Sequence, residues 1–172
     1  DSSHLSSSYT HDSADRLTED DSCYYNYDDA GRMTWRLPKG TSDTTHFEYA
    51  VDGQLVKAYN DDIELQFAYD PVGNRIRKIF IENGDTTVVK YTYDGADLLF
   101  EKDDNDAVQI RYLYGPGIDH ILESVDSVGT KQHFADALGS VTRITDSTGE
   151  RYKLMVYSSY GVMSTDSGSV QA

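Results

Sequence analysis

Residues 25–33 read Tyr-Asn-Tyr-Asp-Asp-Ala-Gly-Arg-Met, and variants of this phrase return along nearly the whole chain. The pattern is an aromatic residue, any residue, an aromatic residue and Asp, followed after two residues by Gly, a basic residue and an apolar residue. The Asp position falls at residues 12, 28, 50, 70, 94, 115 and 136, in steps of 16, 22, 20, 24, 21 and 21 residues. A period near 21 residues indicates a repeat architecture. Other copies begin at Tyr9, Phe47, Phe67, Tyr91, Tyr112 and His133, and a last fragment runs from Tyr157 to Gly161.

A second series of turn signals lies midway between these Asp positions. Each repeat therefore contains two runs of strand-forming residues separated by two turns, which is the pattern of a β-hairpin. No helical stripe of useful length interrupts it, so the sequence predicts an all-β fold of antiparallel hairpins. The second series comprises Pro38-Lys39-Gly40, Asn60-Asp61-Asp62, Asn83-Gly84, Asp103 to Asp106, Asp126 to Gly129 and Asp146 to Gly149.

The paired aromatic residues are two positions apart, so both rings of a pair are expected on the same face of their strand. An isolated hairpin is only marginally stable in water. Successive hairpins must therefore share contacts with their neighbours, and we expect ladders of rings from one repeat to the next.

These residues resemble the Rhs/YD-repeat family of bacterial toxins, toxin-complex subunits, wall-associated proteins and teneurins. The phrases Tyr25 to Arg32 and Phe67 to Arg75 match the tyrosine–aspartate repeat. The segments Tyr112 to Gly117 and Asp136 to Val141 look like the opening of the Rhs-repeat-associated core. The resemblance implies a continuous spiralling antiparallel sheet that forms a hollow shell.

The resemblance also divides the chain into segments. We predict a polar N-terminal tail or linker over 1–8, YD repeats over 9–111, a core-like segment over 112–163 and a C-terminal tail over 164–172. A start without Met favours an excised piece of a longer protein. Some family members cut themselves at a DPxG motif. Asp70-Pro71-Val72-Gly73 matches those letters but stands in an ordinary repeat turn. We therefore do not predict that this chain cleaves itself.

Composition limits the partners. The formal net charge is −15, with 30 acidic and 15 basic residues, and such a surface repels phosphate backbones. We therefore predict no nucleic-acid partner. No apolar run approaches the roughly 18 residues that span a membrane. Cys23 is the only cysteine, which excludes an intrachain disulfide and a cysteine-based zinc site.

The histidines form no zinc motif. His11 and His133 stand where other repeats place an aromatic residue, so we expect both to pack as ring substitutes. The sequence accordingly predicts no catalytic, cofactor-binding or metal-binding residues, and no cofactor. The five histidines are His4, His11, His46, His120 and His133.

Other polar residues are better interpreted as structural than as part of a metal-binding or catalytic site. The run Asp103-Asp104-Asn105-Asp106 offers oxygen ligands for Ca²⁺ but lacks EF-hand spacing, so a solvated turn is the better interpretation. Asp119, Asp136 and Asp146 have no fixed separation that would make an acid–base pair. Cys23 is expected to be a packed side chain or a free thiol.

The sequence therefore predicts a non-enzymatic structural segment of an exported Rhs/YD-repeat protein. It would act as a shell, a scaffold or a self-assembling extracellular fibre, at or outside the surface of a bacterial cell. Its partners would be copies of itself, head to tail, or flanking repeats of a longer chain. The alternatives are an adhesion or carbohydrate-binding module for cell-surface glycans or proteins, and the encapsulating part of a polymorphic toxin.

Overall fold

Strands begin and end at the turns that the sequence predicts. The computed structural model describes residues 8–158 and 161–166, and within them every regular element is a β-strand. The all-β prediction is confirmed. The predicted N-terminal tail lies outside the described residues except for Ser8, and so does the predicted C-terminal tail beyond Asp166.

The chain divides into two compact units, Asp1–Val88 and Val89–Ala172. In the first unit the strands pair antiparallel in chain order, from β1 with β2 to β7 with β8. These strands are β1 Thr10–His11, β2 Leu17–Glu19, β3 Cys23–Tyr27, β4 Met33–Pro38, β5 Thr45–Tyr49, β6 Leu55–Tyr59, β7 Ile63–Tyr69 and β8 Arg75–Glu82.

The second unit begins inside β9, and its strands also pair antiparallel in chain order, from β9 with β10 to β15 with β16. These strands are β9 Asp85–Asp94, β10 Asp97–Lys102, β11 Val108–Tyr114, β12 Ile121–Val125, β13 Thr130–Ala135, β14 Val141–Asp146, β15 Arg151–Tyr157 and β16 Met163–Asp166.

The repeated aromatic pairs lie on one face of their strands, as their spacing predicts. In β3, Tyr25 and Tyr27 are half-buried while Asn26 between them is exposed. In β7, Phe67 and Tyr69 are likewise half-buried on either side of an exposed alanine. This alternation is the two-residue period of a strand whose faces differ in exposure.

Most hydrophobic side chains in the described part of the chain are only partly buried. No side chain in the described part of the chain is fully buried, and the least exposed hydrophobic residues are Ala58 and Met155, at 9% and 8%. Stability must therefore come from the backbone ladders and from contacts between half-buried side chains of neighbouring hairpins. Among the residues described, no helix has the length and hydrophobicity needed to cross a membrane.

Candidate functional site

One five-residue turn recurs along the described part of the chain, at most Asp positions of the repeat and at two of the midway turns. The N–H of its first residue donates to the C=O of the fifth, and the N–H of the fourth donates to the C=O of the first. The fourth residue has a φ between 61° and 97° in every copy, and it is Gly in all but two of them. This is a type I turn with a glycine bulge, which shifts the register of the hairpin. Its first residues are Asp12, Asp28, Ala50, Asp70, Asp103, Asp136, Asp146 and Ser158.

The Asp side chain holds this turn closed from within. Asp28 Oδ1 accepts the N–H groups of Ala30 and Arg32 at 3.0 and 2.9 Å. The hydrogen bond from the Arg32 N–H, together with the guanidinium of the same residue, lowers the pKa of Asp28 although partial burial opposes the shift. The carboxylate is therefore charged at neutral pH, and three of its roughly four acceptor positions are occupied.

Arg32 connects this turn to the next repeat. Its Nε donates to Asp28 Oδ2 at 2.7 Å, and its Nη1 donates to the backbone C=O of Ala50 at 3.1 Å. The guanidinium carbon also lies 5.1 Å from the centre of the Tyr49 ring, within the range of a cation–π contact. A single side chain thus fixes a turn, the backbone of the following turn and an aromatic ring.

Tyr49 completes the connection in the opposite direction. Its hydroxyl donates to the backbone C=O of Met33, one residue after Arg32, at 3.0 Å. Burial raises the pKa of Tyr49, so the hydroxyl keeps its proton and remains a donor. We call this arrangement the repeat clasp, formed by Asp28, Arg32, Tyr49 and the carbonyl groups of Met33 and Ala50.

A second repeat clasp joins the preceding repeat to this one. Arg16 Nε donates to Asp12 Oδ2 at 2.7 Å, and its Nη1 donates to the C=O of Asp28 at 2.8 Å. The Arg16 guanidinium lies 5.4 Å from the ring centre of Tyr27, whose hydroxyl donates to the C=O of Leu17 at 2.8 Å. Contact between these repeats therefore passes through guanidinium groups, where the sequence predicted rings stacked on rings.

Other repeats keep only part of the clasp. Tyr69 donates to the C=O of Leu55 at 2.8 Å, but Gln54 stands at the Arg position of that repeat. In the second unit Tyr157 donates to the C=O of Val141 at 2.9 Å, and Ser140 stands at the Arg position. The tyrosine half of the clasp is thus more frequent than the arginine half.

The clasp can couple hairpins mechanically, and most acceptor positions of its two carboxylates are used in doing so. A general base needs a free lone pair within reach of a substrate proton. The carboxylates of Asp12 and Asp28 instead accept backbone N–H groups and an arginine Nε, and these hydrogen bonds lower the pKa of both groups.

The turn that matches DPxG has the same structure. Asp70 Oδ1 accepts the N–H groups of Val72 and Asn74 at 3.0 and 2.9 Å, and its Oδ2 accepts the Asn74 side-chain amide at 3.1 Å. Gly73 has a φ of 97°, as the bulge position requires. Asp70 is held as a turn residue.

The prediction that two histidines pack like the aromatic rings of other repeats is confirmed for His133 and is wrong for His11. His11 is exposed at the end of the two-residue strand β1, so its predicted role as a packed ring is wrong. His133 is half-buried, and its Nε2 lies 2.8 Å from the hydroxyl of Ser124, which is 8% exposed. Burial, assisted by Lys131, lowers the pKa of His133.

Two further histidines have structural surroundings, and His4 lies outside the described residues. His46 stacks on Tyr59 with ring centres 5.2 Å apart and an interplanar angle of 23°. His120 lies against Gly115, where a Cβ would come within 2.9 Å of His120 Nδ1. This close approach explains why Gly stands at an Asp position of the repeat.

The acidic run considered for Ca²⁺ forms a turn, and Lys90 bonds to two of its residues. Asp103 Oδ1 accepts the N–H groups of Asn105 and Ala107, both at 2.9 Å. Lys90 Nζ donates to the C=O of Asp104 at 2.8 Å and to Asp106 Oδ1 at 3.1 Å. Within the described ranges, no three acidic, histidine or cysteine side chains are grouped so as to hold a metal ion.

Of the three carboxylates considered for acid–base work, Asp119 and Asp136 line the same cavity, and Asp146 lies apart from them. Asp136 and Asp146 each accept two backbone N–H groups of their own turns, and those turns lie at opposite ends of β14. Asp119 is in the turn before β12 with a φ of 54°. Cys23 is a partly exposed free thiol in β3.

Comparisons with known proteins agree with this geometry. The family model described as teneurin YD-shell matches residues 2–170. Among solved structures, the TcdB2–TccC3 complex is 17% identical with a TM-score of 0.56 over 88% of this chain. The same complex without its hypervariable C-terminal region gives 17% and 0.56 over 92%. The Tc holotoxin pore of Photorhabdus luminescens gives 16% and 0.56 over 92%.

The resemblance to YD-repeat proteins is therefore confirmed, and the likeness to the Tc structures shows a shared fold. The match covers only 10% of each of those solved chains, so this chain spans about a tenth of their length. No curated protein sequence matches this one.

Proposed function

The chain belongs to the teneurin YD-shell family, and on that premise we propose that it is a wall segment of a YD-repeat shell. Its role is structural, and it carries out no reaction of its own. The shell would be exported and would act outside the cell or at its surface, as a container or scaffold.

The observation that carries this proposal is the repeat clasp. A shell wall needs each hairpin to be joined firmly to the next, because a lone hairpin is marginal and because no closed core is available to hold several together. Arg16 and Arg32 supply that joint by bonding the turn of one repeat to the backbone of the following one. The half-buried faces of the strands also suit a wall that has a lumen on one side.

Of the two alternatives, glycan binding receives less support. For glycan binding, exposed aromatic faces would be needed, but ammonium groups lie over two of the most exposed tyrosine rings: Lys39 over Tyr24 and Lys131 over Tyr152, both at 5.0 Å. Enclosure of a toxin remains a form of the shell proposal, favoured by the fold shared with the Tc toxin structures.

Cryo-electron microscopy of the full-length gene product that contains this chain tests the proposal. We expect the strands of each unit to lie in the wall of a shell, with one face toward an internal space and the other toward solvent. The proposal is overturned if this segment forms a separate domain outside any shell, with both faces in solvent.

A parallel assay tests the absence of a reaction. The purified chain should turn over ester, peptide and glycoside substrates no faster than its Ser124→Ala variant, since Ser124 with His133 is the one hydroxyl–imidazole pair among the described hydrogen bonds. Turnover that this variant loses while keeping the wild-type melting temperature would contradict the structural assignment.

A further inference from the structure

The repeat that begins its turn at Asp136 has the turn of a repeat clasp without the arginine. Asp136 Oδ1 accepts the N–H groups of Leu138 and Ser140 at 2.9 and 3.0 Å, which is the bonding that closes the turn at Asp28. Gly139 has a φ of 85°, close to the 81° of the glycine in that turn. Ser140 stands at the arginine position.

The aromatic half of this clasp is also in place. The Tyr157 hydroxyl donates to the C=O of Val141 at 2.9 Å, at the position where Tyr49 donates in the complete clasp. Ser158 begins the next five-residue turn. Its C=O holds the place of the Ala50 C=O, which accepts the guanidinium in the complete clasp. All of these residues of the Asp136 repeat belong to the second compact unit.

Asp136 Oδ2 is the acceptor that this repeat leaves open. In the turns at Asp12 and Asp28 the corresponding oxygen accepts an arginine Nε at 2.7 Å. Among the described hydrogen bonds and ion pairs, none reaches Asp136 Oδ2. Asp136 is exposed, and Tyr157 is 36% exposed. A guanidinium group from outside can therefore approach both side chains.

The basic side chains of the adjoining strands do not occupy this position. The Arg143 guanidinium carbon lies 4.6 Å from the ring centre of Phe134, so this arginine is engaged elsewhere. Lys153 stands four residues before Tyr157 in β15, about 13 Å away along the strand. The negative charge of Asp136 is thus not neutralised from either strand.

The cavity beside the Asp136 turn adds to this negative charge. Asp119 and Asp136 both line it, and neither lysine nor arginine is among its described lining residues. His120 lines it too, with Nδ1 3.3 Å from the C=O of Pro116. Two carboxylates near one turn favour the approach of a cation.

We propose that Asp136, Tyr157 and the C=O of Ser158 form an open clasp, which binds the guanidinium group of an arginine side chain from a second polypeptide. Arginine suits the position better than lysine, because its planar fork donates to a carboxylate and a carbonyl at once while its face lies on a ring. Arg16 and Arg32 make these contacts in the two complete clasps. The inference goes beyond the shell function, since it gives the wall a point of attachment for a partner that presents arginine.

Titration of the isotope-labelled chain with N-acetyl-arginine amide, followed by NMR at a constant ionic strength of about 0.15 M, tests the proposal. We expect saturable shifts of the amide signals of Gly139, Ser140 and Ser158, with a Kd on the order of 10 mM. N-acetyl-lysine amide should bind at least about threefold more weakly. Gly31 is the control within the same spectra, and its signal should not move because Arg32 already occupies that clasp.

Three variants locate the binding. Ser140→Arg supplies the missing guanidinium from within the chain and should abolish the shifts. Ser147→Arg adds the same charge in the exposed turn at the opposite end of β14 and should bind like wild type. Asp136→Asn keeps an oxygen for the turn N–H groups but removes the charge, so it should weaken binding by more than about threefold. The melting temperature of each variant checks that it is folded.

Three results would each overturn the open clasp. They are a wild type without saturable shifts, equal affinity for the lysine and arginine derivatives, and wild-type binding by a folded Ser140→Arg variant. Should Ser140→Arg not fold, undiminished binding by Asp136→Asn would overturn the proposal in its place. None of these results bears on whether the strands lie in a shell wall, which the microscopy decides separately.

Discussion

The turns at Asp28 and Asp70 close in the same way, yet they join the next repeat differently. In both, the carboxylate accepts two backbone N–H groups and the fourth residue is a Gly with positive φ. Arg32 then extends from the first turn to the backbone of Ala50, whereas the Asn74 amide ends at Asp70 Oδ2. Closing a turn and coupling two repeats are therefore separate tasks, performed by different residues.

Removal of the Tyr49 ring should have the largest effect on the clasped region. Tyr49→Ala deletes the surface on which Arg32 lies and the donor to Met33, so we expect a loss of about 3 kcal/mol of unfolding free energy. Tyr49→Phe keeps the ring and should cost about 1 kcal/mol. Urea unfolding measures both. Tyr9→Ala, at a 61% exposed position, is the control and should change stability by less than about 0.5 kcal/mol.

Shortening the arginine should convert a clasped repeat into an unclasped one. Arg32→Gln copies the residue at the same position of the next repeat, Gln54, and removes the cation–π contact and the bond to Ala50. We expect a loss of about 1 kcal/mol in urea unfolding. Arg36→Gln, in the same strand but exposed, should have little effect. Equal losses from the two substitutions would show that Arg32 contributes only its charge.

The converse substitution should build a clasp where none exists. Ala50→Asp combined with Gln54→Arg supplies the carboxylate and the guanidinium that this repeat lacks, opposite the ring of Tyr69. We expect a gain of a few tenths to about 1 kcal/mol for the double variant, and less for Gln54→Arg alone. A double variant no more stable than wild type would mean that the strand geometry at this repeat forbids the contact.

The contribution of Arg32 to the stability of the fold should decrease at acidic pH. The hydrogen bonds at Asp28 lower its pKa below the ordinary value of 3.8, so their stabilising effect is complete above that pH and is lost as pH falls through the lowered pKa. The difference in melting temperature between wild type and Arg32→Gln should therefore shrink between about pH 4 and about pH 2. A difference that stays constant over this range would assign the effect to the ring contact alone.

The sequence predicts the turns well because their chemistry is local. Asp followed three residues later by Gly specifies a side-chain acceptor and a residue that tolerates positive φ, and both requirements are met within one turn. The two-residue spacing of Phe67 and Tyr69 likewise predicts their common face. These signals need no knowledge of the partner strand.

Contacts between repeats could not be predicted in the same way. That Arg16 reaches the carbonyl of Asp28, and that Tyr27 reaches Leu17, depends on the register of strands and on the bulge that shifts it. A recurrent basic residue after the Gly was visible in the sequence as a weak signal of this role. The exposure of His11 was missed because its strand is only two residues long and has little to pack against.

A double-mutant cycle on Arg32 and Tyr49, with Gln54 and Tyr69 as the matched pair, tests the central claim most directly. If the clasp couples repeats, the double variant Arg32→Gln/Tyr49→Ala should lose less unfolding free energy than the sum of the two single variants. We expect the difference to be about 0.5–1.5 kcal/mol. The corresponding cycle with Gln54→Ala and Tyr69→Ala should be additive within about 0.3 kcal/mol. Additivity in both cycles would contradict the account, because Arg32 and Tyr49 would then act independently and not as one clasp.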